Sequence, residues 1–186
     1  MYKYLTIYCI QQTTLQPVFK EMNMRTRWNG LLFFFVTALI FTACSKNIRE
    51  TTLENPDASF RLIIAADSSD FKDSIRDRVM NNYKNVSHID VVNLDKLDGI
   101  DYDAYDAVLI MDSCMAWGGF NNEVKNYINS LPDNRKVVVF FTAGNPEWKY
   151  NYKGVDAITA ASLPAKEADV ANQLIQKIDL LLNKEK

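Results

Sequence analysis

The chain has 186 residues, with 21 Lys and Arg against 23 Asp and Glu and a single histidine; 48% of it is hydrophobic and 12% aromatic. The charge is nearly balanced and no basic stripe appears, which excludes a nucleic-acid binder that works through clustered phosphate contacts. One histidine gives no basis for a multi-histidine metal centre.

The first readable element is a leader. Arg25 and Arg27 stand before an uncharged apolar run from Leu31 to Phe41, the order of a signal n-region and h-region. The run is well short of the roughly 20 apolar residues that span a bilayer. Small residues Thr42 and Ala43 then precede Cys44. Phe41-Thr42-Ala43-Cys44 resembles the lipobox of bacterial lipoproteins, with Phe41 where Leu is usual. The resemblance implies cleavage before Cys44, acylation of that cysteine, and a chain anchored by lipid to the cell membrane or outer membrane with its domain outside the cytoplasm. The alternative is an ordinary signal peptide followed by an incidental cysteine. Residues 1–23 are polar and aromatic without a clear period, so Met24 is the expected start. The expected organisation is 1–43 upstream segment and signal peptide, 44–58 lipidated cysteine and polar tether, 59–186 folded domain.

Four of the Lys and Arg and one of the Asp and Glu precede Cys44, leaving 17 against 22 and a net charge of −5 for the remainder. Cys114 is then the one thiol left, so no intramolecular disulfide supports the fold. Ser45 to Ala58 is polar and contains Pro56, a composition that cannot bury enough apolar surface to fold alone.

From Phe60 onward, short apolar runs alternate with helical patterns. Leu62–Ala66, Val91-Val92, Ala107–Met111 and Val137–Phe141 read as strands buried on both faces, and Asp156–Ala160 as a fifth. Phe71, Ile75, Val79 and Tyr83 mark one helix, Val124, Tyr127, Ile128 and Leu131 a second, and Val170, Leu174, Ile178 and Leu181 a third with Pro164 in its first turn. Asp70 and Asn121 are the expected N-caps. Residues 93–106 and 144–155 are too short for a full helix. The expected fold is a short, doubly wound α/β domain with a five-stranded parallel sheet. Its connections between strands two and three and between strands four and five are reduced to loops.

Tyr105 to Asp112, then Trp117-Gly118-Gly119-Phe120, then Glu123 to Ile128, resemble the middle of a flavodoxin-like domain, and Lys136 to Gly144 resembles the strand and loop that follow. The resemblance covers roughly Phe60 to Leu182 and implies a ligand crevice beyond the carboxyl ends of the strands. In flavodoxins the loop after the first strand is rich in hydroxyls and glycine and holds the FMN phosphate. Here it reads Asp67-Ser68-Ser69-Asp70-Phe71-Lys72. Ser68, Ser69 and Lys72 are the candidate phosphate contacts, while Asp67 and Asp70 bring like charge and no glycine is present. Trp117, Gly118 and Trp148 are the candidate walls for a flat ring, or else aromatic cover for the sheet edge.

Other residues carry less chemistry. Cys114 has Asp112 two residues away and no cationic neighbour in sequence, which favours an inert thiol. His88 lies early in its strand, away from the carboxyl ends. The Asp residues between Asp95 and Asp112 lack a calcium-loop pattern. Asp156 to Ser162 resembles the motif of domains that carry FMN covalently on its last hydroxyl, with Ala160 in place of glycine; alternatively Ser162 caps the last helix.

The functional expectation is an envelope lipoprotein whose flavodoxin-like domain is a binding or accessory module with a degenerate FMN site. Its partners would be the membrane through Cys44 and a small planar ligand or an envelope protein. The alternatives are an extracytoplasmic FMN electron carrier and a scaffold without ligand. No catalytic residue or metal site is assigned, and FMN is the one cofactor in question.

Overall fold

Runs of Val, Ile, Leu and Phe become strands here because both sheet faces are covered, so every side chain along them finds apolar neighbours. The computed structural model describes residues 47–114, 119–145 and 147–184, and the leader, Cys44, Trp117 and Gly118 lie outside the described residues. The strands are β1 Thr51–Leu53, β2 Phe60–Ala66, β3 Ser87–Asn93, β4 Ala107–Ser113, β5 Val137–Thr142, β6 Asn151–Tyr152 and β7 Val155–Ala160. The helices are α1 Asp70–Tyr83, α2 Asn122–Ser130 and α3 Glu167–Lys184.

The sheet order is β1-β3-β2-β4-β5-β7-β6. The inner strands β3, β2, β4, β5 and β7 are mutually parallel, and β1 and β6 are antiparallel edges. Numbered among themselves, the parallel strands run 2-1-3-4-5, the flavodoxin-like order. The sheet is therefore mixed and seven-stranded, which corrects the five-stranded parallel sheet expected from the sequence.

Both extra strands come from segments that looked irregular. The expected tether supplies β1, with Thr51 opposite Val91 and Leu53 opposite Ile89. Ile48 is buried, and its N–H donates to Asn93 Oδ1 at 2.8 Å. An edge strand with exposed Thr51 and Thr52 needs few apolar residues, so composition gave no sign of it. β6 arises from a hairpin in which Lys153 (φ 50°) and Gly154 (φ 83°) make the two-residue turn, the positive φ pair that tight hairpins require. The connection from β3 to β4 contains two 3-10 turns, Leu94–Gly99 and Tyr102–Ala104, that bury Leu94, Leu97 and Tyr102.

Alternate strand residues face two separate cores. Leu62, Ile64, Leu109, Met111, Val138 and Phe140 meet α1 and α3 on one face. Ile63, Ala65, Ile110, Val139 and Phe141 meet α2 and the 3-10 turns on the other. Tyr83 OH, 2.7 Å from Asp179 Oδ1, ties α1 to α3. Asn121 caps α2 as expected, its Oδ1 accepting from Val124 N–H at 2.8 Å. Ser69, not Asp70, caps α1, with its Oγ accepting from Lys72 N–H at 3.2 Å. Leu163, not Ser162, holds the cap position of a 3-10 turn, Pro164–Lys166, that precedes α3. No helix among the described residues is long and apolar enough to cross a membrane.

Candidate functional site

β2, β4 and β5 end side by side, and the side chains just beyond their apolar cores are polar. Asp67 extends β2 by one residue, its N–H donating to Met111 O at 3.2 Å. Ser113 closes β4 and Thr142 closes β5, paired in register. The first turn of α1 then turns Lys72 inward, beside Phe71 and Ile75 on the helix's buried face.

Lys72 is only 1% exposed. Its Nζ is ion-paired with Asp67 Oδ1 and donates to Ser113 Oγ at 2.7 Å. Ser113 Oγ lies 3.2 Å from Asp67 Oδ2, and Thr142 Oγ1 lies 3.3 Å from Ser113 Oγ. The result is a closed ring of ammonium, carboxylate and hydroxyl groups at the strand ends. A buried ammonium persists only where paired and hydrogen-bonded, and this ring meets that need.

Asp112 lies beside this ring but faces α2. Its Oδ1 accepts from Ser113 N–H at 2.6 Å and its Oδ2 from Asn121 Nδ2 at 2.7 Å. Asn121 thus caps α2 with one end of its amide and binds Asp112 with the other. Asp112 is 5% exposed. Burial pushes its carboxyl up to about 6; the Ser113 N–H and Lys72 oppose the rise, and the charges of Asp67 and Glu123 add to it.

The predicted phosphate contacts are all near this ring, but they are turned to other uses. Ser68 Oγ donates to Asp73 Oδ2 at 2.8 Å, Ser69 caps α1, and Lys72 is paired internally. FMN is the group that this strand order brings to mind, and its phosphate needs free donors at this loop. Here Asp67 covers the cation, and the Ser68 and Ser69 hydroxyls face the helix. The described residues around Asp67 enclose a recess of only about 160 Å3, lined also by Asp95 and Glu123. Larger clefts of about 490 Å3 lie elsewhere, one over Ile63, Val92 and Ile100 and one beside Asp156 and Gln173.

Trp148, the predicted ring wall, is 37% exposed and meets Tyr150 edge-on at 6.3 Å. Thr159 Oγ1 donates to the Trp148 carbonyl at 2.7 Å, which places this residue along the outer side of β7. Tyr150 reaches inward instead, a residue that the sequence did not single out. Its ring packs on Phe141 at 6.2 Å, and Cys114 Sγ donates to its OH at 3.2 Å. That contact with Cys114, with burial adding, pushes the Tyr150 phenol up to about 12. The only sequence signal for it is Gly119, which the Tyr150 ring covers.

His88 lies away from the crevice, its Nε2 3.1 Å from Asp90 Oδ2. Asp90 also accepts from Thr52 Oγ1 and Tyr105 OH, a knot that joins β1 to β3 and to the 3-10 segment. Among the described residues no cluster of His, Cys, Asp and Glu could hold a metal ion.

No family model matches the sequence, and no curated protein is similar to it. Among solved structures the chain is similar to a flavodoxin from the domain Archaea, at 11% identity over 65% of this chain and 98% of that one, with a TM-score of 0.43. It is similar to oxidised flavodoxin 2 from Bacillus cereus, at 14% identity over 64% and 97%, with a TM-score of 0.42. It is also similar to a lysine decarboxylase from Francisella novicida, at 11% identity, 66% of this chain against 17% of that one, and a TM-score of 0.43. The folded region is a flavodoxin-like α/β domain, a class defined here by its 2-1-3-4-5 order of parallel strands.

Proposed function

We propose that the chain is a lipid-anchored protein of the cell envelope whose flavodoxin-like domain serves as a binding or accessory module, with the FMN phosphate site lost. The carrying observation is that Lys72 is buried and bound to Asp67, so the loop after β2 offers no free cation. The lipobox-like Phe41 to Cys44 supports the anchor, and the inward-reaching Tyr150 beside Cys114, with the part-exposed Trp148 along the outer side of β7, supports a planar ligand or an envelope protein as partner.

Two measurements test this reading. An absorbance scan of the purified protein across the flavin bands, with a fluorescence titration of FMN and riboflavin, is expected to show no bound flavin and no submicromolar affinity. A yellow protein, or tight FMN binding abolished by Trp117→Ala, favours an electron carrier instead; a covalent flavin lost in Ser162→Ala assigns the cofactor to that hydroxyl. Cys44→Ala is expected to leave the chain unprocessed or free of the membrane. Normal maturation and membrane partitioning of that variant overturn the anchor.

A further inference from the structure

Lys72 and Asp67 do more than leave a phosphate loop incomplete. A cation withdrawn from water needs an anion beside it, and here the chain supplies its own. Asp67 is fixed by its N–H to Met111 O at 3.2 Å and by Ser113 Oγ at 3.2 Å from Oδ2. Its side chain is 35% exposed and that of Lys72 2% exposed. The carboxylate therefore stands between the ammonium and solvent. It sits in a seat made by Lys72 Nζ and Ser113 Oγ, with Thr142 Oγ1 behind them.

We propose that Asp67 is a built-in anion and the specificity-determining residue of the crevice. Its carboxylate fills a seat whose donors suit an oxyanion, and it closes the crevice to phosphate-bearing ligands while leaving it open to neutral or cationic ones. This deepens the binding-module reading and rests on it. Asp95 and Glu123 line the same recess as Asp67, so an anion entering that recess meets three carboxylates, and Asp67 already holds the Lys72 ammonium. Like charges at such separations repel strongly enough to shift ionisation, and the same repulsion opposes the ligand. Truncating Asp67 reverses both effects: it vacates a carboxylate-sized space and leaves a buried cation facing it.

The probes are inorganic phosphate and formate, titrated by calorimetry and by thermal melts at constant ionic strength. The native chain is expected to bind neither. Asp67→Ala is expected to bind phosphate at least about tenfold more tightly than the native chain, and to recover in phosphate or formate much of the melting temperature it loses without them. The double variant Asp67→Ala with Lys72→Met is expected to lose both effects. Asp67→Ser carries the same expectation where Asp67→Ala does not fold. The proposal is overturned by a folded variant that binds phosphate no better than native, by a double variant that binds like the single, or by unfolded variants that phosphate does not restore. Failure of the binding-module reading would show separately, as flavin on the native chain.

Discussion

Gly119 lies directly beneath the ring of Tyr150: a Cβ at position 119 would stand 2.6 Å from Tyr150 Cδ1, and the backbone there has φ +60°. Two independent constraints thus select glycine at one position, a left-handed backbone and an occupied space. The contact joins the loop after β4 to the loop that carries Trp148 and Tyr150. Gly119→Ala is expected to destabilise the domain by about 2–4 kcal/mol, from overpacking together with the left-handed penalty. In a Tyr150→Ala background the same change should cost only about 1–2 kcal/mol, since only the backbone term survives. Urea unfolding of the four chains measures the difference, and equal costs in both backgrounds would show that the ring moves aside freely.

Asp112 gives the domain a pH dependence of definite sign. Its carboxyl is raised from 3.8 to about 6 in the folded chain, so between those values the folded state holds a proton that the unfolded state has released. Stability is then highest near pH 4 and falls as pH rises through about 6, by up to ~3 kcal/mol for a shift of this size. Carboxylates lowered by their partners, such as Asp90 beside Thr52, Tyr105 and His88, act in the opposite sense below about pH 4. Melting curves at fixed ionic strength should show a decline from pH 4 to 7 in the native chain and a flatter profile in Asp112→Asn. An unchanged slope in that variant would remove Asp112 as its source.

The two partners of the buried ion pair should not be equivalent. Lys72→Met leaves Asp67 with a third of its side chain already in water, where it can hydrate. Asp67→Ala leaves an ammonium without its counter-charge in a site almost closed to solvent. The second change is expected to cost about 3–5 kcal/mol and the first markedly less, because breaking a buried pair is dominated by the charge left behind. Denaturant midpoints in phosphate-free buffer decide the order; a larger loss for Lys72→Met would contradict it.

A chain shortened to begin at Asn55 keeps every helix but loses β1 and Ile48. It uncovers the edge of β3 at Ile89 to Val91 and removes the bond from Ile48 N–H to Asn93. Exposed edges of this kind pair with other chains. The shortened chain is expected to unfold at lower temperature and to self-associate, relative to one that begins at Asn47. Light scattering and thermal melts compare them, and identical behaviour would mean that β1 is not needed by the sheet.

The amino-acid sequence by itself determined the inner sheet and its helices. Runs such as Val137–Phe141 are short, rich in Val and apolar at every position, as strands covered on both faces require, and Phe71, Ile75, Val79 and Tyr83 form the buried stripe of a helix with polar residues on its other faces. Those patterns are local, and they survive without knowledge of any neighbour. The tertiary structure alone decided the rest. Thr51–Leu53 carries no pattern of its own and becomes a strand because β3 presents an open edge to it. Ser69 and not Asp70 caps α1 because the loop reaches its helical turn one residue earlier than the composition implied. Lys72 shares the buried face of α1 with Ile75 and Val79, yet its chemistry suggested a solvent-facing contact. Its partners Asp67 and Ser113 come from two different strands and meet it only when β2 and β4 lie side by side. Tyr150 likewise meets Gly119 and Cys114 only after two loops converge at the strand ends. Periodicity records which side of an element is buried; which groups meet there depends on the register between strands distant in the chain, and that register is fixed by the packing of the whole sheet.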